Sequence, residues 1–305
     1  IHPGTVREDD GIRLRPGLGE HVAWAESNAI VFANSVLGAR TDRYGDFLDI
    51  CAAITGRAPR AGFHLDEARR AAFVIDVSAV APHRWDDSAW YAVLGHLLGG
   101  LAGQRVGAIV GLPSSTNEDD LKALGAAAAS GGGVGLFHAV GVTPEAPTLA
   151  AVVAQGDPEV HVLTDADLVA ARRGLCTADG SRIDAISLGT PHASLTEIRA
   201  LAEEVERTAT VVAADVTAYV STGRGVLALA DAAGLVEPLK AAGFTFVVDT
   251  CTYLVPILPE GTRVVMTNSG KWAHYAPGNL GIDVVLGSLV ECVAAAGAGR
   301  VALDV

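Results

Sequence analysis

The second half of the chain switches repeatedly between two periods. Short apolar runs, IDAISLG, ATVVAAD, FTFVVD, RVVMT and GIDVVLG, predict strands, while LTEIRALAEEVERT, VLALADAAGLVEPLKAAG and SLVECVAAAG carry helical spacing. Strands joined through helices of roughly 10 to 20 residues require crossover connections and hence a mostly parallel sheet. The first half is less regular. Ala25, Ala29, Phe32, Ala33 and Val36 predict a helix over Val22 to Leu37, and a second is expected from Gly45 to Thr55, where Cys51 among Ile50, Ala52, Ala53 and Ile54 is read as core. Ala71 to Val80 and Val106 to Leu112 are expected strands, Asp86 to Ala102 and Asp165 to Arg173 expected helices, and SSTNEDDLKAL a helix start with acidic residues in its first turn. The triplet Gly131 to Gly133 lacks a following GK[ST] and is read as a flexible turn, and His96 as a satisfied histidine.

One stretch breaks the pattern. In RVVMTNSGKWAHYAPGNLG, residues 263 to 281, the apolar run gives way to Asn268, Ser269, Lys271, His274 and Tyr275. Ordinary turns use Gly, Asp and Pro and rarely spend Lys, His and Tyr together, so this stretch is expected to form a wall of an active site. In parallel sheets ligands lie beyond the carboxyl ends of the strands. The expected strand ends carry Thr190, Pro191 and His192; Asp215 and Thr217; Asp249, Thr250 and Cys251; and Asn268 and Ser269. These groups are expected to converge on one edge.

Composition narrows the function classes. Half of the 305 residues are hydrophobic and aromatics are scarce, which suits helices packed on sheets. A net charge of -13 without any Lys/Arg cluster argues against nucleic acid or an anionic membrane as partner. No apolar run has the length of a membrane span and the first residues lack the order of a signal peptide, so a cytoplasmic protein is expected. The four cysteines are widely spaced, which gives no support to a disulfide framework or zinc knuckle. The chain opens on Ile1 and its one methionine is Met266, so it is read as processed or truncated. Residues 1–21 are expected to be an extended lead-in, 22–180 one α/β lobe and 181–305 a second.

Five segments together resemble one family. AWAESNAIVFANSVLGARTDRYGDFLDICAAITGR, LFHAVGVTPEA, SLGTPHASLTEI, VVDTCTY and MTNSGKWAHYAPGNLGIDVVLGSLVECV are similar, in order, to the large catalytic region of aconitase X, from about residue 19 to 297. The resemblance implies aconitase-like α/β/α lobes with mostly parallel sheets. It also implies a hydro-lyase that removes water from a small hydroxy acid with the help of an iron-sulfur cluster or mononuclear iron. The activity expected first is dehydration of cis-3-hydroxy-L-proline to Δ1-pyrroline-2-carboxylate; dehydration of mevalonate 5-phosphate is the alternative, and a noncatalytic subunit of the same architecture a third reading. A Rossmann oxidoreductase ranks last, because no GxGxxG follows an expected strand.

The chemistry of such a dehydration assigns the residues. Arg40 and Arg43 suit a carboxylate anchor, since a guanidinium grips a carboxylate through two bonds. Glu26, Ser27, Asn28, His138, Asn268 and Tyr275 are expected to bind substrate, and Lys271, His192, Ser269 and His274 to serve catalysis, with the base unassigned between Lys271 and His192. Cys251 is the expected metal ligand, and Cys51, Cys176 and Cys292 are read as structural. Two departures follow from the resemblance. Many members have Cys where this chain has Thr190, and a further family cysteine, with the small swivelling domain that contributes a serine, is expected to lie outside this chain. The chain alone is therefore expected to be inactive, completed by that domain or subunit and by an N-terminal segment.

Overall fold

The computed structural model describes residues 15–45, 47–153, 156–178 and 182–301. Most of the expected lead-in over 1–21 lies outside them, as does the expected lobe boundary at 180/181. The chain forms two compact α/β units, which divide at Leu168/Val169.

In the N-terminal unit the expected first helix is short. Helix α1, Ser27–Val31, starts at Glu26, whose carboxylate accepts the Ala29 N–H at 2.8 Å, and it runs into a wider π turn over Phe32–Val36. Asn34 and Ser35, both buried, explain the widening: Asn34 Nδ2 donates to the carbonyls of Thr41 and Gly135, and Ser35 Oγ accepts the Phe137 N–H. Helix α2, Leu48–Thr55, buries only Ala52. Cys51, expected in the core, is exposed, as are Ile50 (52%) and Ile54 (79%), because the one face of this apolar helix that finds a partner is that of Ala52.

A parallel sheet follows. Strand β1 (Phe73–Asp76), helix α3 (Ser88–Ala102), β2 (Gly107–Val110), α4 (Glu118–Gly131), β3 (Phe137–Ala139), α5 (Leu149–Val152) and β4 (Glu159–Val162) build the order β3-β2-β1-β4. The acidic start of α4 forms a capping box between Asn117 and Asp120, as its sequence predicts. Strand β4 was not expected: as an edge strand it leaves Val160 and Val162 exposed, and EVHV carries no core signal. The glycine triplet is not a flexible turn. A Cβ at Gly132 would lie 2.2 Å from the carbonyl oxygen of Gly99, so the absent side chain allows the end of α4 to meet α3.

Helix α6 (Asp165–Gly174) crosses the division, and the C-terminal unit then runs β5 (Ala185–Ala193), α7 (Leu195–Thr208), β6 (Thr217–Thr222), α8 (Arg224–Ala232), α9 (Val236–Ala241), β7 (Phe244–Val248), β8 (Val264–Thr267), α10 (Gly270–Leu280), β9 (Asp283–Leu286) and α11 (Leu289–Ala298). The sheet is again wholly parallel, in the order β7-β6-β5-β8-β9. Ile186, Leu188, Val220, Phe244, Met266 and Val285 meet α7, α8 and α11 residues in one core.

Three expectations are corrected here. ATVVAAD is not a strand; TAYVST is, because the sheet buries all but the first of its residues while Val211 remains 67% exposed. Asp215 and Thr217 consequently stand at the amino end of β6, where Asp215 pairs with Arg182 at 3.3 Å. The single helix expected from VLALADAAGLVEPLKAAG is two, parted at Gly234 with φ 74°. The polar cluster after β8 winds into α10, a helix that its Pro277 and glycines obscured in the sequence.

Candidate active site

In the C-terminal sheet the winding reverses between β5 and β8. Strands β6 and β7 add on one side of β5, and β8 and β9 on the other, so the connections leaving β5 and β8 part to opposite faces and open a crevice at the carboxyl edge. The end of β5 is irregular there: its register with β6 breaks between Leu188 and Ala193. Gly189 has φ 78°, and a Cβ on it would meet the Ser221 carbonyl oxygen at 2.5 Å. The Thr190-Pro191 bond is cis. Within this bulge Thr190 Oγ1 and Ser221 Oγ are both buried and have no hydrogen-bond partner among the described residues. Buried hydroxyls left open in this way are uncommon.

The neighbouring β8 end is tightly bonded. Thr267 Oγ1 donates to the Ser187 carbonyl at 2.7 Å and accepts the Ser269 N–H at 3.1 Å, while Asn268 Oδ1 accepts the Gly189 N–H at 3.4 Å. Ser269 caps α10 by accepting the Trp272 N–H at 3.2 Å. Lys271 follows in the first turn, 5% exposed, with no acidic residue in that turn. His274, one turn further, is exposed and packs edge-on against Tyr275 at 5.3 Å, and Tyr275 meets Tyr253 at 5.7 Å.

The loop after β7 completes this edge. Asp249 holds φ 59° and accepts the Arg224 N–H at 3.0 Å and its guanidinium. Those bonds, the backbone one first, keep its carboxyl below the usual range, and half-buried His192 acts on it in the same direction. Cys251 is buried and its Sγ donates to the Pro191 carbonyl at 3.5 Å.

The donors for iron are few. A cluster held by three or four thiolates does not fit them. Of the four cysteines, all described, only Cys251 touches the β5 end: Cys51 is exposed in the other unit, Cys176 lies beside Leu286 on β9, and Cys292 is in the core. Among the described residues no three His, Cys, Asp or Glu side chains lie together as a metal site.

The remaining candidates belong to the N-terminal unit. Ser27 Oγ donates to Glu26 at 3.0 Å, and Asn28 is 3% exposed with its Oδ1 unpartnered. Arg40 donates to the His64 carbonyl at 3.0 Å and pairs with Asp66, whose carboxyl it holds below the usual range; Arg43 is exposed. Arg40 borders two cavities, of about 300 and 510 Å³, the smaller lined also by His138. His138 is buried and its Nε2 donates to the Arg69 carbonyl at 2.7 Å; burial holds it below the usual imidazole range.

Two clusters in this unit were not foreseen. The buried Arg69 guanidinium meets Glu145 at 2.8 to 3.1 Å, Asn34 Oδ1 at 3.1 Å and the carbonyls of Phe63, Asn34 and Ala39. His64, buried, joins Nδ1 to Nδ1 with His21 at 2.8 Å and bonds Tyr44 through Nε2. Desolvation, then His21, lowers its pKa. Nothing local in GFHLDEARRA distinguishes Arg69 from Arg70; only the partners distant in sequence do.

Models of three aconitase X domains match in succession: the first domain over residues 12–67, the second over 71–173 and the third over 183–298. The chain belongs to the aconitase X family. The third-domain match falls wholly in the C-terminal unit, on the β5–β8 crevice. A crystal structure of Thermococcus kodakaraensis aconitase X (holo-form) superposes with a TM-score of 0.83 at 33% identity, covering 97% of this chain and 73% of that one. Two curated relatives, the cis-3-hydroxy-L-proline dehydratases of Hypocrea jecorina and Pseudomonas aeruginosa, are each 44% identical over 92% and 96% of this chain. The phosphomevalonate dehydratase large subunit of Methanothermobacter thermautotrophicus is 41% identical over 88% of this chain and 64% of its own length. The chain spans about half the length of the two hydroxyproline dehydratases, 48% and 50%.

Proposed function

We propose that this chain is the greater part of the catalytic region of a hydro-lyase that dehydrates a small hydroxy acid, cis-3-hydroxy-L-proline first. The observation that carries the reading is Lys271, a buried cation at the amino end of α10, beside the β5–β8 crevice. A buried ammonium at this edge suits a substrate carboxylate. In the reaction the C–H bond next to the carboxylate breaks, its electron pair forms the carbon–carbon double bond, and the neighbouring C–O bond breaks to release water. Charge grows on the carboxylate as the proton leaves. Lys271 stabilises that charge, and His192 exchanges the proton, being the half-buried imidazole at the same edge. Ser269, Asn268 and Tyr275 line the wall, and His274 stands at its outer end. Glu26, Ser27, Asn28, Arg40, Arg43 and His138, all in the N-terminal unit, are retained as substitution targets for substrate binding.

The substrate choice rests on the two hydroxyproline dehydratases, at 44% identity. Phosphomevalonate is the second reading, favoured by the 41% identity of one of the large subunits. The remaining length of the relatives, including the swivelling domain or a partner subunit, is proposed to complete the enzyme. A cytoplasmic setting is part of the reading. Iron, or an iron-sulfur cluster whose other thiolates lie outside this chain, with Cys251 as a ligand and Thr190 in a usual ligand position, is a proposal to be measured: anaerobic iron and sulfide analysis of the complete protein, with and without Cys251→Ala, removes Cys251 from the ligand set if iron is unchanged. Assay of the complete protein on both substrates tests the function. Activity on mevalonate 5-phosphate alone overturns the substrate, and turnover of neither favours a noncatalytic subunit.

A further inference from the structure

Cys251 reaches the β5 end from a strand that is not its neighbour. It follows β7, the edge of the sheet, and β6 stands between β7 and β5, so the loop must cross two strand spacings, roughly 10 Å. The chain turns at Asp249, clamped by Arg224, and three more residues can span such a distance. The hydrogen bond of the thiol to Pro191 is a weak means of holding the loop there, because S–H is a poor donor.

The next residue carries the stronger attachment. Thr252 is wholly buried, and its Oγ1 lies 2.7 Å from Ser187 Oγ on β5 and accepts the indole N–H of Trp272, on α10, at 2.8 Å. An indole nitrogen only donates, so it occupies one lone pair of the Thr252 oxygen, while either hydroxyl can donate in the Thr252–Ser187 bond. One hydroxyl thereby ties the β7 loop to β5 and to α10, the helix that follows β8. Trp272 is itself fully buried, so this donor is fixed in place.

We infer that Thr252 is a positioning residue: its hydroxyl, through Ser187 and Trp272, sets where the Cys251 thiol lies against the Thr190-Pro191 segment. The inference deepens the proposed dehydratase site and rests on that reading for its effect on turnover, but not for its effect on the thiol.

The test uses the complete protein as purified, with Thr252→Val, Thr252→Ser and Trp272→Phe. Iodoacetamide alkylation is followed at the Cys251 peptide by mass spectrometry, beside the thermal midpoint and, where there is turnover, kcat and KM. Thr252→Val removes the hydroxyl at nearly constant shape and is expected to speed Cys251 alkylation about tenfold, with Trp272→Phe in between and Thr252→Ser near wild type. Turnover, where present, falls in kcat more than KM rises. If Thr252→Val does not fold, the comparison of Thr252→Ser with Trp272→Phe decides, a faster thiol in the latter alone being the expected result. An unchanged alkylation rate in Thr252→Val, or an equal rise in Thr252→Ser, overturns the inference. Absence of turnover in every form, wild type included, bears on the proposed function alone, because the alkylation rates still decide.

Discussion

Cys251 and Pro191 meet, sulfur to carbonyl oxygen at 3.5 Å, although β6 separates the strands that carry them. The thiol has thus been brought from the edge of the sheet to the place where its winding reverses. The groups with most to offer a substrate, Lys271, His192, Thr190 and Cys251, come from three different strand ends at one edge of one unit.

Lys271→Met keeps most of the volume and removes the charge. The expected outcome is a loss of kcat of about a hundredfold or more with the circular dichroism spectrum preserved. Turnover within a few-fold of wild type would take Lys271 out of the mechanism.

Arg69→Met leaves Glu145 and several carbonyls without their donor in the interior of the N-terminal unit. Removing one partner of such a buried pair costs about 3 to 5 kcal/mol. Denaturant unfolding followed by tryptophan fluorescence, with Trp85 and Trp90 buried in that unit, is expected to show its transition at much lower denaturant.

Burial holds the folded pKa of His138 below the ordinary imidazole value of about 6.5. Below about pH 6.5 the unfolded chain takes up a proton that the folded chain refuses, so the stability this residue contributes is present above that pH and lost as pH falls through the folded value. The slope from one such group is at most about 1.4 kcal/mol per pH unit. Melting temperatures measured downward from neutral pH are expected to fall less steeply in His138→Gln, which keeps an N–H for the Arg69 carbonyl; His64, also lowered chiefly by burial, supplies slope that remains.

Thiol labelling separates the cysteines. Cys51 is exposed and Cys292 has no exposed surface, so native labelling with a maleimide is expected to modify Cys51 at least about a hundredfold faster, with Cys292 reacting only on unfolding. Equal rates would contradict the packing of α2.

Much of this architecture is legible in the chain. LTEIRALAEEVERT forms α7 over Leu195–Thr208 as its period predicts, because a strongly two-faced helix lies on a sheet in one way. The crevice residues Thr190, Asn268 and Cys251 follow from the rule that parallel strands end at the site. What the pattern could not convey depended on partners far away in sequence. ATVVAAD and TAYVST are both strand-like, and only the sheet decides which is buried. Cys51 is as apolar as its neighbours, yet it is exposed. Arg69 reads as a surface arginine until Asn34 and Glu145 are seen around it.

The arrangement around Arg69 also constrains how this protein can change. Asn34 accepts from both Arg69 and the Thr41 N–H through Oδ1 while donating to Thr41 and Gly135, and Arg69 has each of its nitrogens engaged. Any single replacement in the set strands a buried polar group somewhere else. Each single replacement here is therefore costly, and a change at Asn34, Arg69 or Glu145 is expected to be tolerated best when the others change with it.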